Sequence, residues 1–149
     1  MEQDKSLPPT YLFVSIIAII ALHFLFPLMR LIALPWKLIG IIPLGIGIIL
    51  NLVADQAFKR LGTTVKPYEK SSAFIKNGVF QISRHPMYLG MILILIGISI
   101  LLGSLTPFFV VVVFAIIMER VFIQVEERMM EETFGDEYLE YRANVRKWL

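Results

Sequence analysis

The chain contains no cysteine and only two histidines among its 149 residues. Without thiols there can be no disulfide, no thiolate metal site and no cysteine nucleophile. His23 and His85 are too few to build a metal centre on, so no metal is expected. Charge is also scarce: 17% of residues are charged and 57% are hydrophobic, with a mean hydropathy of +0.74. A soluble domain of this length could not bury so much apolar surface, so a bilayer must cover it. The pI is near 9.0. The basic residues lie beside the apolar runs, where membrane orientation accounts for them better than nucleic acid does. The first residues, Met1-Glu2-Gln3-Asp4-Lys5, lack the basic region and small-residue cleavage site of a signal peptide. The first apolar run is therefore expected to be a retained span.

The chain reads as one domain, residues 1–149, of an all-α integral membrane protein. Four transmembrane helices are expected, at about 11–34, 36–54, 87–102 and 107–125. Pro86 suits the first turn of the third helix, and Gly103-Ser104-Leu105-Thr106-Pro107 reads as the turn into the fourth. Pro43, with Gly40, Gly45 and Gly47 around it, should bend or thin the second helix and allow close packing. The 59–84 segment carries Lys59, Arg60, Lys66, Lys70, Lys76 and Arg84, and the 126–149 segment carries Arg128, Arg142, Arg146 and Lys147. The positive-inside rule puts both segments in the cytoplasm, together with the N-terminus. Glu126 to Phe134 should continue as a polar helix that ends at Gly135. Asp136 should then cap an amphipathic helix through Trp148, with Tyr138, Tyr141 and Val145 on one face.

Two polar clusters stand at the membrane boundary. Arg84-His85-Pro86-Met87-Tyr88-Leu89-Gly90 opens the third run, and Glu126-Glu127 closes the fourth. The two lie about equally far from the turn at Leu105, so antiparallel helices bring them to a common depth. Such convergence outlines an active site on the cytoplasmic face. Glu119, Glu126 and Glu127 share one helical face at i, i+7 and i+8. Glu119 lies deeper and should find a cation such as Arg120. Asp55 reads as a salt-bridge residue and His23 as an interhelical hydrogen-bonding group.

The first cluster is similar to the Arg-His-Pro-x-Tyr-x-Gly signature of the isoprenylcysteine carboxyl methyltransferase family and its bacterial and archaeal relatives. Glu126-Glu127, Phe134-Gly135-Asp136-Glu137-Tyr138, Tyr141 and Val145-Arg146 resemble its second block in order, and Gly78-Val79-Phe80 resembles the segment before the first. The resemblance covers about Ser71 to Trp148. The histidine block alone is shared with phospholipid methyltransferases and membrane sterol reductases. The resemblance implies membrane methyl transfer from S-adenosylmethionine, with S-adenosylhomocysteine as product, in a prokaryotic cytoplasmic membrane. It implies a cofactor pocket made by Ser72, Ala73, Phe74, Ile75, Phe80, Arg84, His85, Pro86, Met87, Tyr88, Glu126, Glu127 and Tyr138. The C-terminal helix would cover this pocket. Glu126 would also act in catalysis. Phe122 stands where eukaryotic members carry a substrate-contacting arginine, which leaves Arg120 as the nearest basic residue and second catalytic candidate. The acceptor is expected to be lipophilic or lipidated: a prenylcysteine carboxylate, a thiol, an amine or a lipid headgroup. It should enter laterally between helices, near the depth of Met91 to Ile94 and Phe122, where the lining is apolar. The rival readings are an NADPH-dependent reductase, against which Met87 replaces an asparagine, and a non-catalytic scaffold.

Overall fold

The computed structural model describes residues 7–63, 66 and 69–149. Met1 to Lys5, and part of the 59–84 loop, lie outside the described residues. Among the described residues there are six α-helices: α1 (Pro8–Leu25), α2 (Ile41–Arg60), α3 (Pro86–Leu102), α4 (Thr106–Ile117), α5 (Gln124–Phe134) and α6 (Asp136–Asn144). A π-helical turn, Met118–Ile123, joins α4 to α5 in one continuous helix. Among the described residues the only β-type pairing is an isolated bridge between Arg30 and Ser104. Among the described residues three helical stretches are long and apolar enough to cross a membrane: Pro8–Leu25, Trp36–Arg60 and Thr106–Phe134. Pro86–Leu102 is a shorter apolar helix. The protein is an integral membrane protein with a helical fold.

Three boundaries differ from the sequence expectation. The first helix stops at Leu25 rather than Leu34, because Pro27 excludes helical backbone at Phe26, which adopts φ −137° and ψ 65°. The residues beyond it fold back on the α3–α4 turn. Leu31 and Ile32 donate their N–H groups to the Gly103 carbonyl, at 2.8 and 3.1 Å, and Leu105 donates to Met29. Gly103 can serve here because its φ of 77° closes α3 in the left-handed conformation. Pro43 does not bend α2; it sits in the first turn, just after a 3-10 turn at Trp36–Gly40. The C-terminal helix ends at Asn144, not Trp148, since Val145 turns extended at φ −118°. Gly135, at φ 54°, is the N-cap of α6, and Asp136 is its first residue without capping it.

Packing follows the membrane rule that small residues let backbones approach, because lipid provides no hydrophobic drive between helices. Where α2 and the 3-10 turn before it pack on α3, Gly40 meets Gly97 and Gly47 meets Gly90; a Cβ on Gly90 would lie 2.7 Å from the Gly47 carbonyl oxygen. Gly45 faces open space. The core gathers Ile19 of α1, Leu95 of α3, Phe114 of α4, and Met118, Phe122 and Ile123 of the π turn. His23 Nδ1 and Ser104 Oγ share a 2.7 Å hydrogen bond, and Asp55 pairs with Lys59 at 2.6 Å. Both match the roles read from the sequence.

Candidate active site

Pro86 begins α3 and His85 is its N-cap residue, so the histidine stands at the helix mouth with backbone outside the helix. The π turn inserts extra backbone into the facing helix just before Glu126 and Glu127. Such turns recur at functional sites because they re-aim the side chains that follow. Tyr88 Oη donates to Glu126 Oε1 at 2.6 Å, and His85 Nδ1 lies 3.5 Å from Glu126 Oε2. The Tyr88 ring stacks on Phe122 at 6.3 Å, and Phe122 meets Tyr11 edge-on at 5.4 Å. Phe122 is thus a fully buried support for the tyrosine.

Glu127 faces another way. Its Oε1 accepts from Arg84 at 2.7 Å and from His85 Nε2 at 3.2 Å, and its Oε2 lies 3.6 Å from Lys147 Nζ. Lys147 also pairs with Glu119 at 2.7 Å. Arg84 is held further by its contacts to the C-terminal segment: NH1 donates to the Arg142 carbonyl and the backbone N–H to that of Arg146. Ser83 Oγ donates to the Lys147 carbonyl at 2.9 Å. Burial works against a charged His85, but hydrogen bonds and charge from Glu126 and Glu127 outweigh it, and its pKa is raised. Both ring nitrogens face a carboxylate, Nδ1 that of Glu126 and Nε2 that of Glu127, which is the arrangement that suits an imidazolium.

Two clefts meet at this cluster. One, about 750 Å³ including its mouth, is walled by Phe74, Phe80 and Tyr138 and by the Met129, Met130 and Thr133 face of α5. The other, about 650 Å³, runs past Met87, Tyr88 and Met91 to Leu7, Pro8 and Pro9 at the start of α1. Arg84, His85, Phe58, Phe80 and Glu126 line both. Helix α6 closes over the first cleft. Phe74 packs among Phe134, Tyr138 and Tyr141 at 5.1–5.9 Å, and Tyr141 Oη donates to the Phe80 carbonyl at 2.5 Å. Burial pushes both tyrosine phenols up, Tyr141 to about 12, so they stay neutral.

Of the residues expected at the site, Ala73, Phe74, Ile75, Phe80, Arg84, His85, Glu126 and Tyr138 line the first cleft, and Pro86, Met87 and Tyr88 line the second. Ser72 lines neither; its N–H donates to Thr63 Oγ1, and Ser71 takes the place at the wall. Glu127 lines neither, because both its oxygens are taken by the ion-pair network. Arg120 is not brought to the cluster; it lies in a separate groove with Glu119 and Trp148. The sequence reading missed Met129, Met130 and Thr133, although they follow Glu126 at i+3, i+4 and i+7. It also missed Phe58, which only the packing of α2 brings in.

Residues 36–137 match the phospholipid methyltransferase family. The chain belongs to that family. The match spans the glycine-paired α2 and α3, both polar clusters and the start of α6. Among curated relatives, the protein-S-isoprenylcysteine O-methyltransferase of Saccharomyces cerevisiae is 37% identical over 95 residues, covering 62% of this chain and 38% of the yeast protein. The A-type enzyme of that name from Arabidopsis thaliana is 32% identical over 81 residues, covering 52% of this chain and 40% of the plant protein. An uncharacterised Haemophilus influenzae protein is 38% identical over 63 residues, covering 42% of this chain and the whole of that protein. The solved eukaryotic intramembrane Ras methyltransferase, an isoprenylcysteine carboxyl methyltransferase, superposes with a TM-score of 0.64 at 26% identity, over 95% of this chain and 51% of that one. The chain spans about half or less of the length of the methyltransferases it matches.

Proposed function

We propose that the protein is an S-adenosylmethionine-dependent methyltransferase acting on a lipophilic acceptor at the cytoplasmic face of the membrane. The observation that carries this reading is the meeting of a polar, aromatic-walled cleft with an apolar one at His85, Tyr88 and Glu126. Membership of the family supports it. In this reading α3 is a fourth crossing, about 26 Å long by helical rise, and the basic loop and C-terminus are cytoplasmic.

The residues of the first cleft fit the cofactor. Glu126 offers a carboxylate to its ammonium, and Phe74, Phe80 and Tyr138 offer ring faces to its adenine. Arg84 and His85 are less available to its carboxylate, since Glu127 and the Arg142 carbonyl hold the guanidinium and Glu126 and Glu127 hold the two ring nitrogens. When bound, the cofactor supplies an activated methyl group. The chain's own part is to hold both partners in line and exclude water. Tyr88 and His85 fix the Glu126 carboxylate, and α6 with Phe74 covers the cleft. The second cleft receives the acceptor's apolar portion against Leu7, Pro9 and Met91. Glu126 faces both clefts, so its carboxylate is the group positioned to take a proton from an acceptor that must lose one. The acceptor class is a prenylcysteine carboxylate, a thiol, an amine or a lipid headgroup.

Calorimetry in detergent tests the reading. S-adenosylhomocysteine should bind and NADPH should not, and Glu126→Gln should weaken binding by roughly 10- to 150-fold, the worth of a charge-assisted contact. Binding of NADPH alone would favour a reductase, and binding of neither a scaffold.

A further inference from the structure

A third groove, about 1,200 Å³ including its mouth, opens between α3 and α4. Its apolar walls include Leu89, Ile92 and Ile116, and at one end stand Arg120, Lys147 and Trp148. Arg120 is exposed and makes no ion pair or hydrogen bond with another described residue. It is the third residue of the π turn that continues the apolar Thr106–Ile117 helix, about 9 Å of helical rise from Glu126 and the polar cluster. A guanidinium facing acyl chains at such depth is costly unless a polar group comes to it or it reaches toward the headgroups. Lys147 does not supply or consume that partner, because it is spent on Glu119 at 2.7 Å and lies near Glu127 at 3.6 Å. Glu119 lines the groove too, with one oxygen on Lys147 and the other buried without a hydrogen-bond partner; its charge and that of Lys147 offset each other, so the net charge left in the groove is the positive one on Arg120.

We propose that this groove is a binding site for one membrane phospholipid. The lipid phosphate pairs with Arg120, and an acyl chain lies along Leu89, Ile92 and Ile116. A phosphate matches a planar guanidinium better than any other common membrane group, because two parallel N–H donors meet two oxygens. The Trp148 indole stands at the polar end of the groove, where an amphipathic ring is best placed at a headgroup boundary. The occupant is a lipid rather than a soluble anion because the walls are apolar and open to the bilayer. The site is separate from both clefts and does not depend on the methyl-transfer reading.

The test uses the full chain, delipidated in detergent, with native mass spectrometry and thermal unfolding. Phosphatidylglycerol should be retained and should raise the melting temperature. A diacylglycerol with the same chains, lacking the phosphate, and inorganic phosphate, lacking the chains, should do neither. Arg120→Gln should weaken phosphatidylglycerol binding about tenfold or more, and Arg120→Lys should retain part of it. Ile116→Trp, which fills the wall without changing charge, should also weaken it. The proposal is overturned if diacylglycerol or inorganic phosphate stabilises as well as phosphatidylglycerol, or if Arg120→Gln binds the lipid like the unaltered chain.

Discussion

Replacing Glu127 with glutamine should destabilise the fold, whereas the same change at its neighbour Glu126 should mainly affect binding. Glu127 is 10% exposed and sits between Arg84, itself 8% exposed, His85 and Lys147. Removing one partner of a buried ion pair costs about 3–5 kcal/mol, because the other charge stays buried without compensation. Glutamine keeps one acceptor oxygen, which argues for the lower end, about 3 kcal/mol. At about 2–4 °C per kcal/mol for a chain of this size, the melting temperature should fall by roughly 6–12 °C. Glu126 is 22% exposed, and its partners Tyr88 and His85 are groups that an amide can also satisfy. Its loss should cost about 1 kcal/mol or less. Thermal unfolding of both variants in one detergent, without ligand, makes the comparison. Equal losses, or a Glu127→Gln shift within about 2 °C, would refute the division of labour between the two carboxylates.

The other predictions concern packing, protonation and topology. Gly90→Ala should lower the melting temperature, because the new Cβ meets the Gly47 carbonyl at 2.7 Å, while Gly45→Ala, in open space, should be neutral or stabilising by up to about 1 kcal/mol; equal effects would deny the close α2–α3 approach. His85 has a raised pKa in the folded state, so its charge stabilises fully below its ordinary value of 6.5 and is lost as pH rises through the raised value. The stability gap between the unaltered chain and His85→Gln should thus be widest in acid and narrow in alkali, and a gap that widens with pH would contradict the imidazolium. For topology, cysteines at Lys70 and at Leu34, which is 73% exposed, should react with impermeant reagents from opposite sides of the membrane. Labelling from one side would reject the orientation.

The sequence carried the apolar runs and the meeting of His85 with Glu126, because hydropathy and helical rise fix depth. They do not fix direction around the helix axis. Glu126 and Glu127 are adjacent, about 100° apart on a helix, and depth cannot tell which one faces a cleft and which one meets Arg84 and Lys147. The π turn at Met118–Ile123 adds to this, since it resets the angular register between Glu119, Arg120 and Glu126 with no composition signal to announce it. Arg120, chosen as the basic residue nearest to Phe122 at the family's arginine position, consequently falls in another groove. The end of α1 was legible in Pro27 and was overrun because the apolar character continues beyond it to Leu34. The C-terminal tail left its helix at Val145 through pairing with Ser83 and Arg84, contacts separated by some sixty residues of chain.

Methyl transfer itself is the most direct measurement. The purified full chain, reconstituted in bilayers, would be incubated with S-adenosylmethionine carrying a labelled methyl group and a panel of prenylcysteine, thiol, amine and phospholipid acceptors. The account predicts that label moves into the organic-extractable fraction with at least one acceptor, and that Glu126→Gln reduces this transfer at least about tenfold. Label that stays in the aqueous phase with every acceptor, or transfer by Glu126→Gln at the unaltered rate, would contradict it.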